Sequence, residues 1–114
     1  MEVEAIAPLA GDLDAAEDAW RAAYAAALGS RRWDTMLDVG DAYLRAGAQS
    51  HVPRVYEAKA REAFLVALFR ARREGALDGV VRVGRAFAAL GDREVAAHCE
   101  RLAEDLSLSA REND

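Results

Sequence analysis

The stretch VGDAYLRAG, residues 39–47, returns 44 positions later as VGRAFAALG, residues 83–91. Both copies follow the pattern V-G-x-A-(Y/F)-x-x-x-G, which marks an internal repeat of the chain. A glycine within an apolar helix lets a second helix approach closely, and an aromatic side chain nearby fills the adjoining gap. The repeat therefore predicts interlocking helices.

A second pattern lies between and beside these stretches. It consists of an Ala, a large or variable residue four positions on, and an Ala three positions later. Gly47 is thirteen residues before Ala60, whereas Gly91 is five residues before Ala96, so the middle unit carries an eight-residue insertion, assigned to 48–55. Without the insertion the period is 36 residues throughout. The three copies are Ala16, Trp20, Ala23; Ala60, Phe64, Ala67; and Ala96, Glu100, Ala103.

The composition predicts one all-α domain. Alanine supplies 27 of the 114 residues, only two prolines and eight glycines interrupt the chain, and Val, Ile and Thr are sparse. The apolar run 63–69 predicts a helix buried on more than one side. Turn signals at Asp12, Gly29-Ser30, Gly47, Pro53, Gly75 and Gly91 predict helices over about 12–29, 32–46, 53–73, 77–90 and 92–106, followed by a polar tail at 107–114.

The small, large and aromatic positions follow one order in both full units. In the first they are Met36, Val39, Gly40, Tyr43, Ala60, Phe64 and Ala67, and in the second Val80, Val83, Gly84, Phe87, Ala96 and Ala103. This order resembles the tetratricopeptide repeat family over about residues 11–106. The resemblance implies antiparallel helices stacked as helix-turn-helix hairpins: a remnant at 11–30, a hairpin at 32–74 and a hairpin at 77–106. Glu100 departs from the family pattern because it stands where an aromatic residue is expected.

The resemblance also implies a non-enzymatic protein-binding module. In that family the first helices of successive hairpins line a groove that holds a peptide or a helix of a partner protein. By position, the groove residues here are Asp34, Leu37, Asp41, Leu44 and Arg45 from the second helix, and Asp78, Val81, Arg82, Arg85 and Ala88 from the fourth. Their mixed charge favours an amphipathic helix or a segment that carries both charges as the ligand.

The charge distribution leaves a second kind of partner open. The net charge of −5 argues against a dedicated nucleic-acid domain. Residues 1–20 carry six acids and no base, residues 54–91 carry eight bases and four acids, and the last 23 residues sum to −4. This pattern is typical of solvated helix faces, and it equally suits head-to-tail self-association. An array this short favours a cover for one end, so a homo-oligomerisation domain is the alternative, followed by a small-ligand or nucleic-acid sensor.

No motif in the sequence predicts catalysis, a metal or a cofactor. His98 and Cys99 are adjacent on a helix and would need further ligands to hold a metal. Arg70, Arg72 and Arg73 end the third helix, where cations complement the helix dipole. A single cysteine, a first segment without the bases of a signal peptide, and apolar runs of at most seven residues lead us to expect a cytoplasmic protein without a membrane span. The preference for Arg over Lys is typical of a bacterial GC-rich genome.

Overall fold

The computed structural model describes residues 18, 19 and 21–112, and these residues form five helices. The first, α1, is helical at residues 18–19 and 21–30. It is followed by α2 (Trp33–Ala48), α3 (Pro53–Glu74), α4 (Leu77–Ala89) and α5 (Arg93–Glu112). No strand occurs in this part of the chain, which confirms the all-α prediction. The predicted cap Asp12 and the repeat positions Ala16 and Trp20 lie outside the described residues.

Two of the predicted helix ends are confirmed by their glycines. Gly75 follows α3 with a φ of 68°, and Gly91 follows the end of α4 with a φ of 85°. Beyond each glycine the backbone N–H turns back to the helix: that of Ala76 donates to the Ala71 carbonyl oxygen at 2.8 Å, and that of Asp92 to the Phe87 carbonyl oxygen at 3.0 Å. These bonds satisfy carbonyl groups that a helix end leaves unpaired. Pro53 is the first residue of α3, as predicted.

The prediction that Gly47 caps α2 is wrong. Gly47 is a buried residue inside α2, which continues to Ala48. A Cβ atom at Gly47 would lie 2.7 Å from the Cβ atom of Tyr56 on α3, so the glycine allows the two helices to meet closely. The helix end is closed by Ser50 instead, whose hydroxyl donates to the Gly47 carbonyl oxygen at 3.0 Å.

Two other boundaries differ from the predictions. Residues 107–112 were predicted to belong to a polar tail, but they extend α5 to Glu112 because no glycine or proline interrupts them. Four of the eight residues assigned to the insertion at 48–55 are helical, and only residues 49–52 separate α2 from α3. Accordingly α3 begins seven residues before Ala60, whereas α5 begins three residues before Ala96.

The core lies where consecutive helices meet. The helix α2 packs on α3, α3 on α4 and α4 on α5, and α2 also contacts α4. Phe64 of α3 is fully buried against Gly40 of α2, and its ring meets the ring of Phe87 of α4 edge-on, with 5.8 Å between the centroids. Gly84 of α4 also packs closely on α5, since a Cβ atom there would lie 2.9 Å from the Cβ atom of Cys99. The predicted close approach at Gly40 and Gly84 is confirmed, whereas the stacking of tetratricopeptide hairpins stays a prediction.

The prediction that the run 63–69 is buried on more than one side is confirmed, because α2 and α4 both pack on α3, but the run is not buried all round. Ala63, Phe64, Ala67 and Leu68 are buried, but Leu65 is 51% exposed and Phe69 is 66% exposed. The helix α3 is covered by α2 and α4 on two sides and leaves a third side open, which the apolar composition of the run could not reveal. That open side carries two large apolar side chains.

Candidate partner-binding site

The predicted groove residues of α2 do not all reach the surface. Leu37 is 3% exposed and belongs to the core, so its assignment to the groove is wrong. It lies next to the fully buried Met36, and both are covered because α2 packs on α3 and α4 at once. Leu44 is half-buried against the core, and Arg45 is exposed. Asp34 lies in the first turn of α2.

Asp34 is held by the residue that precedes its helix. The Arg32 guanidinium donates from Nε to Asp34 Oδ1 at 3.0 Å and from Nη2 to Oδ2 at 2.6 Å. This hydrogen-bonded pair holds the pKa of the Asp34 carboxyl below its usual range. Both carboxylate oxygens of Asp34 are therefore already engaged by Arg32 at the beginning of α2.

Asp41 and Arg82 lie on the side where α2 meets α4. Asp41 is half-buried, and its loss of solvent raises the pKa of its carboxyl, although the positive charges of Arg45 and Arg82 oppose part of the rise. The Arg82 guanidinium carbon lies 5.5 Å from the centroid of the Trp33 ring, at cation–π distance. The structure thus brings Asp41, Arg45 and Arg82 together as a charged surface where α2 meets α4. Asp78 is exposed in the first turn of α4.

The other predicted residues of α4 face α5 rather than α2. Val81, Arg85 and Ala88 line an open cavity of about 340 Å³ between α4 and α5, which we call the α4–α5 pocket. This volume lies at the lower end of the range of ligand sites. The floor of the pocket is formed by small and apolar side chains, and two carboxylates of α5 stand at its rim. The remaining lining residues are Val80, Gly84, Ala96, Cys99, Glu100, Ala103 and Glu104.

The α5 half of this pocket was missed by the sequence-based assignment, although the repeat carried a signal for it. In the first full unit, Phe64 fills the space against Gly40. The equivalent residue of the second unit is Glu100, which is exposed and leaves the space beside Gly84 without an aromatic side chain. The pocket therefore occurs where the repeat pattern loses its bulky residue.

Another exposed surface lies on the open side of α3. We call it the Phe69 face, and it consists of Leu65, Phe69, Arg72 and Arg73, all of which are exposed. Leu65, Phe69 and Arg73 follow one another at four-residue spacing, and Arg72 lies three residues after Phe69, so all four share one side of the helix. Phe69 and Arg73 also line a shallow cavity of about 630 Å³ between α3 and the end of α1, together with Glu74. The face combines apolar area with positive charge.

Arg70 has a structural role that differs from the predicted one. It was expected, with Arg72 and Arg73, to complement the dipole of its own helix. Instead its Nη1 atom donates to the carbonyl oxygens of Ala27 at 2.7 Å and Arg32 at 3.0 Å. Its Nη2 atom donates to the Leu28 carbonyl oxygen at 2.8 Å. Arg70 therefore caps the end of α1 from α3.

The described residues do not assemble a metal-binding cluster. They contain no group of three His, Cys, Asp or Glu side chains that could hold an ion. Cys99 is buried, and burial raises the pKa of its thiol, which lowers the fraction of reactive thiolate at neutral pH. His98, its neighbour in sequence, is exposed.

The helices between residues 18 and 112 are too short or too polar to cross a bilayer, so the structure holds no candidate membrane span in its described part. No protein-family model matches the chain, and neither the curated proteins nor the solved structures contain a significant match to it.

Proposed function

We propose that this chain is a non-enzymatic protein-interaction module whose α4–α5 pocket binds an amphipathic helix of a partner protein. The observation that carries the proposal is the pocket itself, a cavity of about 340 Å³ with an apolar floor at the position of the missing aromatic residue. The resemblance to tetratricopeptide repeats supports the same class of function. We propose a cytoplasmic location for the module, which is compatible with a sequence whose single cysteine cannot form a disulfide within these 114 residues.

In the first full unit, residues 32–74, the surface equivalent to the pocket is covered by the next helix of the chain. There the equivalent surface of α2 and α3 lies beneath α4, which places Phe87 against Phe64. Among residues 18, 19 and 21–112, no further helix covers the α4–α5 pocket, which is open to solvent at Ala88. A helix from another protein would extend the array by the same kind of packing.

The chemistry of the rim restricts the ligand further. Glu100 and Glu104 lie one turn apart on α5, so both carboxylates face the same approach to the pocket. Arg85 stands on the opposite rim, on α4. The helix that fits best carries one bulky apolar side chain for the floor and a base one turn away for the two glutamates. An acid that meets Arg85 would add selectivity.

Blocking the pocket tests the proposal. Ala88 is exposed and lines the pocket, so Ala88→Trp fills it without entering the core, and Ala89→Trp places the same side chain on an exposed neighbour outside it. We would select displayed helical peptides on the immobilised wild-type protein and measure their binding to both variants. We expect the selected peptides to carry a bulky apolar residue and a base, and to lose at least about tenfold in affinity for Ala88→Trp, or ~1.4 kcal/mol. Equal binding to all three proteins would exclude the pocket as the site.

A further inference from the structure

We propose that the partner of the α4–α5 pocket is a second copy of this chain, which presents its Phe69 face. The inference rests on the proposed function, because it names the helix that the pocket accepts. The Phe69 face carries a bulky apolar side chain and bases one turn beyond it. Those are the features that the pocket and its rim require.

The apolar part of the match is the Phe69 side chain. Phe69 is 66% exposed, more than any other large apolar residue of the described chain, and Leu65 lies one turn before it at 51%. Large apolar side chains that are exposed together mark interfaces, because their burial removes apolar area from water. In the pocket, the floor at Gly84, Ala88 and Ala103 leaves a space for such a side chain.

The charged part of the match lies one turn away from Phe69. Arg72 and Arg73 follow it by three and four residues, and Glu100 and Glu104 are themselves four residues apart on the pocket rim. None of these four side chains forms an ion pair with a described residue. With Phe69 in the pocket, the two arginines of one copy would meet the two glutamates of the other.

The charge distribution of the whole sequence supports the same pairing. The middle of the chain, which contains the Phe69 face, carries eight bases and four acids over residues 54–91. The last 23 residues, which contain the glutamates of the rim, sum to −4. Opposite charges on two surfaces of one chain steer copies toward head-to-tail contact. Because each contact joins two different surfaces, every bound copy keeps one surface free for the next copy, until the assembly closes into a ring.

Sedimentation over a series of concentrations tests the contact with variants of its two sides. Phe69→Asp removes the apolar side chain and adds a repulsive charge next to the glutamates, and Ala88→Trp blocks the pocket. We expect the wild-type protein to form dimers or larger species as concentration rises, and each variant to weaken association at least tenfold. The matched controls are Val55→Asp, at a half-exposed position at the other end of α3, and Ala89→Trp. Both controls should associate like the wild-type protein.

Mixing the two variants gives the sharpest result. Phe69→Asp keeps an intact pocket, and Ala88→Trp keeps an intact Phe69 face, so an equimolar mixture retains one working pair of surfaces. We expect the mixture to form a dimer and nothing larger, while each variant alone stays monomeric. Because the contact contains ion pairs, high salt should weaken it. A wild-type protein that stays monomeric at every concentration, or a mixture that does not associate, would overturn the proposal.

The experiment separates this inference from the proposed function. Phe69→Asp leaves the pocket unchanged and should still bind the selected helical peptides. If the wild-type protein is monomeric but binds those peptides in an Ala88-dependent manner, the pocket serves another protein and only the second-copy proposal fails. If neither peptides nor copies enter the pocket, both proposals fail. Far-UV circular dichroism of each variant verifies that it remains folded.

Discussion

Replacing Gly40 with alanine should destabilise the protein, although alanine is the better helix former. A Cβ atom at this position would lie 2.6 Å from Cδ1 of Phe64, and nearer still to Cε1. Since carbon atoms pack at about 3.5 to 4.0 Å, the ring would have to retreat by roughly 1 Å. Phe64 is completely buried and its ring rests against that of Phe87, so there is no free space for the retreat.

The magnitude follows from two opposing effects. Added volume in a packed core costs about 1 to 3 kcal/mol, and the upper part of this range applies because the ring is held on both sides. Replacing glycine within a helix recovers about 0.5 to 1 kcal/mol. We therefore expect Gly40→Ala to lower the free energy of unfolding by roughly 2 kcal/mol. Gly29→Ala is the control, because a Cβ atom there meets nothing within 4 Å, and it should be neutral or slightly stabilising.

Urea unfolding followed by circular dichroism measures both changes, provided that the slope with denaturant is the same for all proteins. A second substitution makes the test specific to the contact. Phe64→Leu shortens the side chain that meets the new methyl group, so the double variant should be more stable than the two separate losses predict, by about 1 kcal/mol or more. If Gly40→Ala is as stable as the wild-type protein, or if the two changes add, the proposed clash is not what retains this glycine.

Three further predictions concern single side chains. Arg70→Ala should lower the free energy of unfolding by about 1 to 2 kcal/mol and speed hydrogen exchange in α1, because hydrogen bonds from a charged donor to three carbonyl oxygens disappear. Arg72 is an exposed neighbour, so Arg72→Ala should change neither the stability nor the exchange. Alkylation of Cys99 by iodoacetamide should be slow in the folded protein, because burial raises the pKa of the thiol. The rate should increase as the pH rises beyond the ordinary range for thiols, and the reaction should become fast in urea. Rapid reaction at neutral pH without denaturant would show an accessible thiolate. Asp41→Asn should raise the melting temperature at neutral pH. Folding raises the pKa of the Asp41 carboxyl, so ionisation opposes folding above the folded-state pKa. This penalty fades as the pH falls through the folded-state pKa and is absent below the unfolded-state pKa. A larger rise in melting temperature at acid pH than at neutral pH would contradict this reasoning.

Local signals in the sequence were sufficient for most of the helix boundaries. Pro53, Gly75 and Gly91 act through their own backbone geometry, which does not depend on the rest of the fold. Gly47 is likewise a glycine near the end of a predicted helix, but its role is to allow close packing of Tyr56 from the neighbouring helix. No local rule distinguishes a glycine that ends a helix from one that permits a tertiary contact.

The candidate site was harder to predict because it depends on which side of each helix is covered. Leu37 and Val81 hold equivalent positions in the two units, yet Leu37 is buried by a following helix and Val81 borders an open pocket. The open side of α3 at Phe69 depends likewise on where its neighbours lie. The departure at Glu100 was visible in the sequence, but only the packing of α4 on α5 shows that it leaves a cavity.

The bonds from Arg70 to the end of α1 bear on the order in which the protein forms during its synthesis. The side chain that fixes the corner between α1 and α2 follows Ala27 by 43 residues. At about 5 to 20 residues per second, the ribosome adds Arg70 roughly 2 to 9 seconds after Ala27. The nascent chain can therefore form the helical turns of α1 at once, but it must wait for α3 before the angle between its first two helices is set.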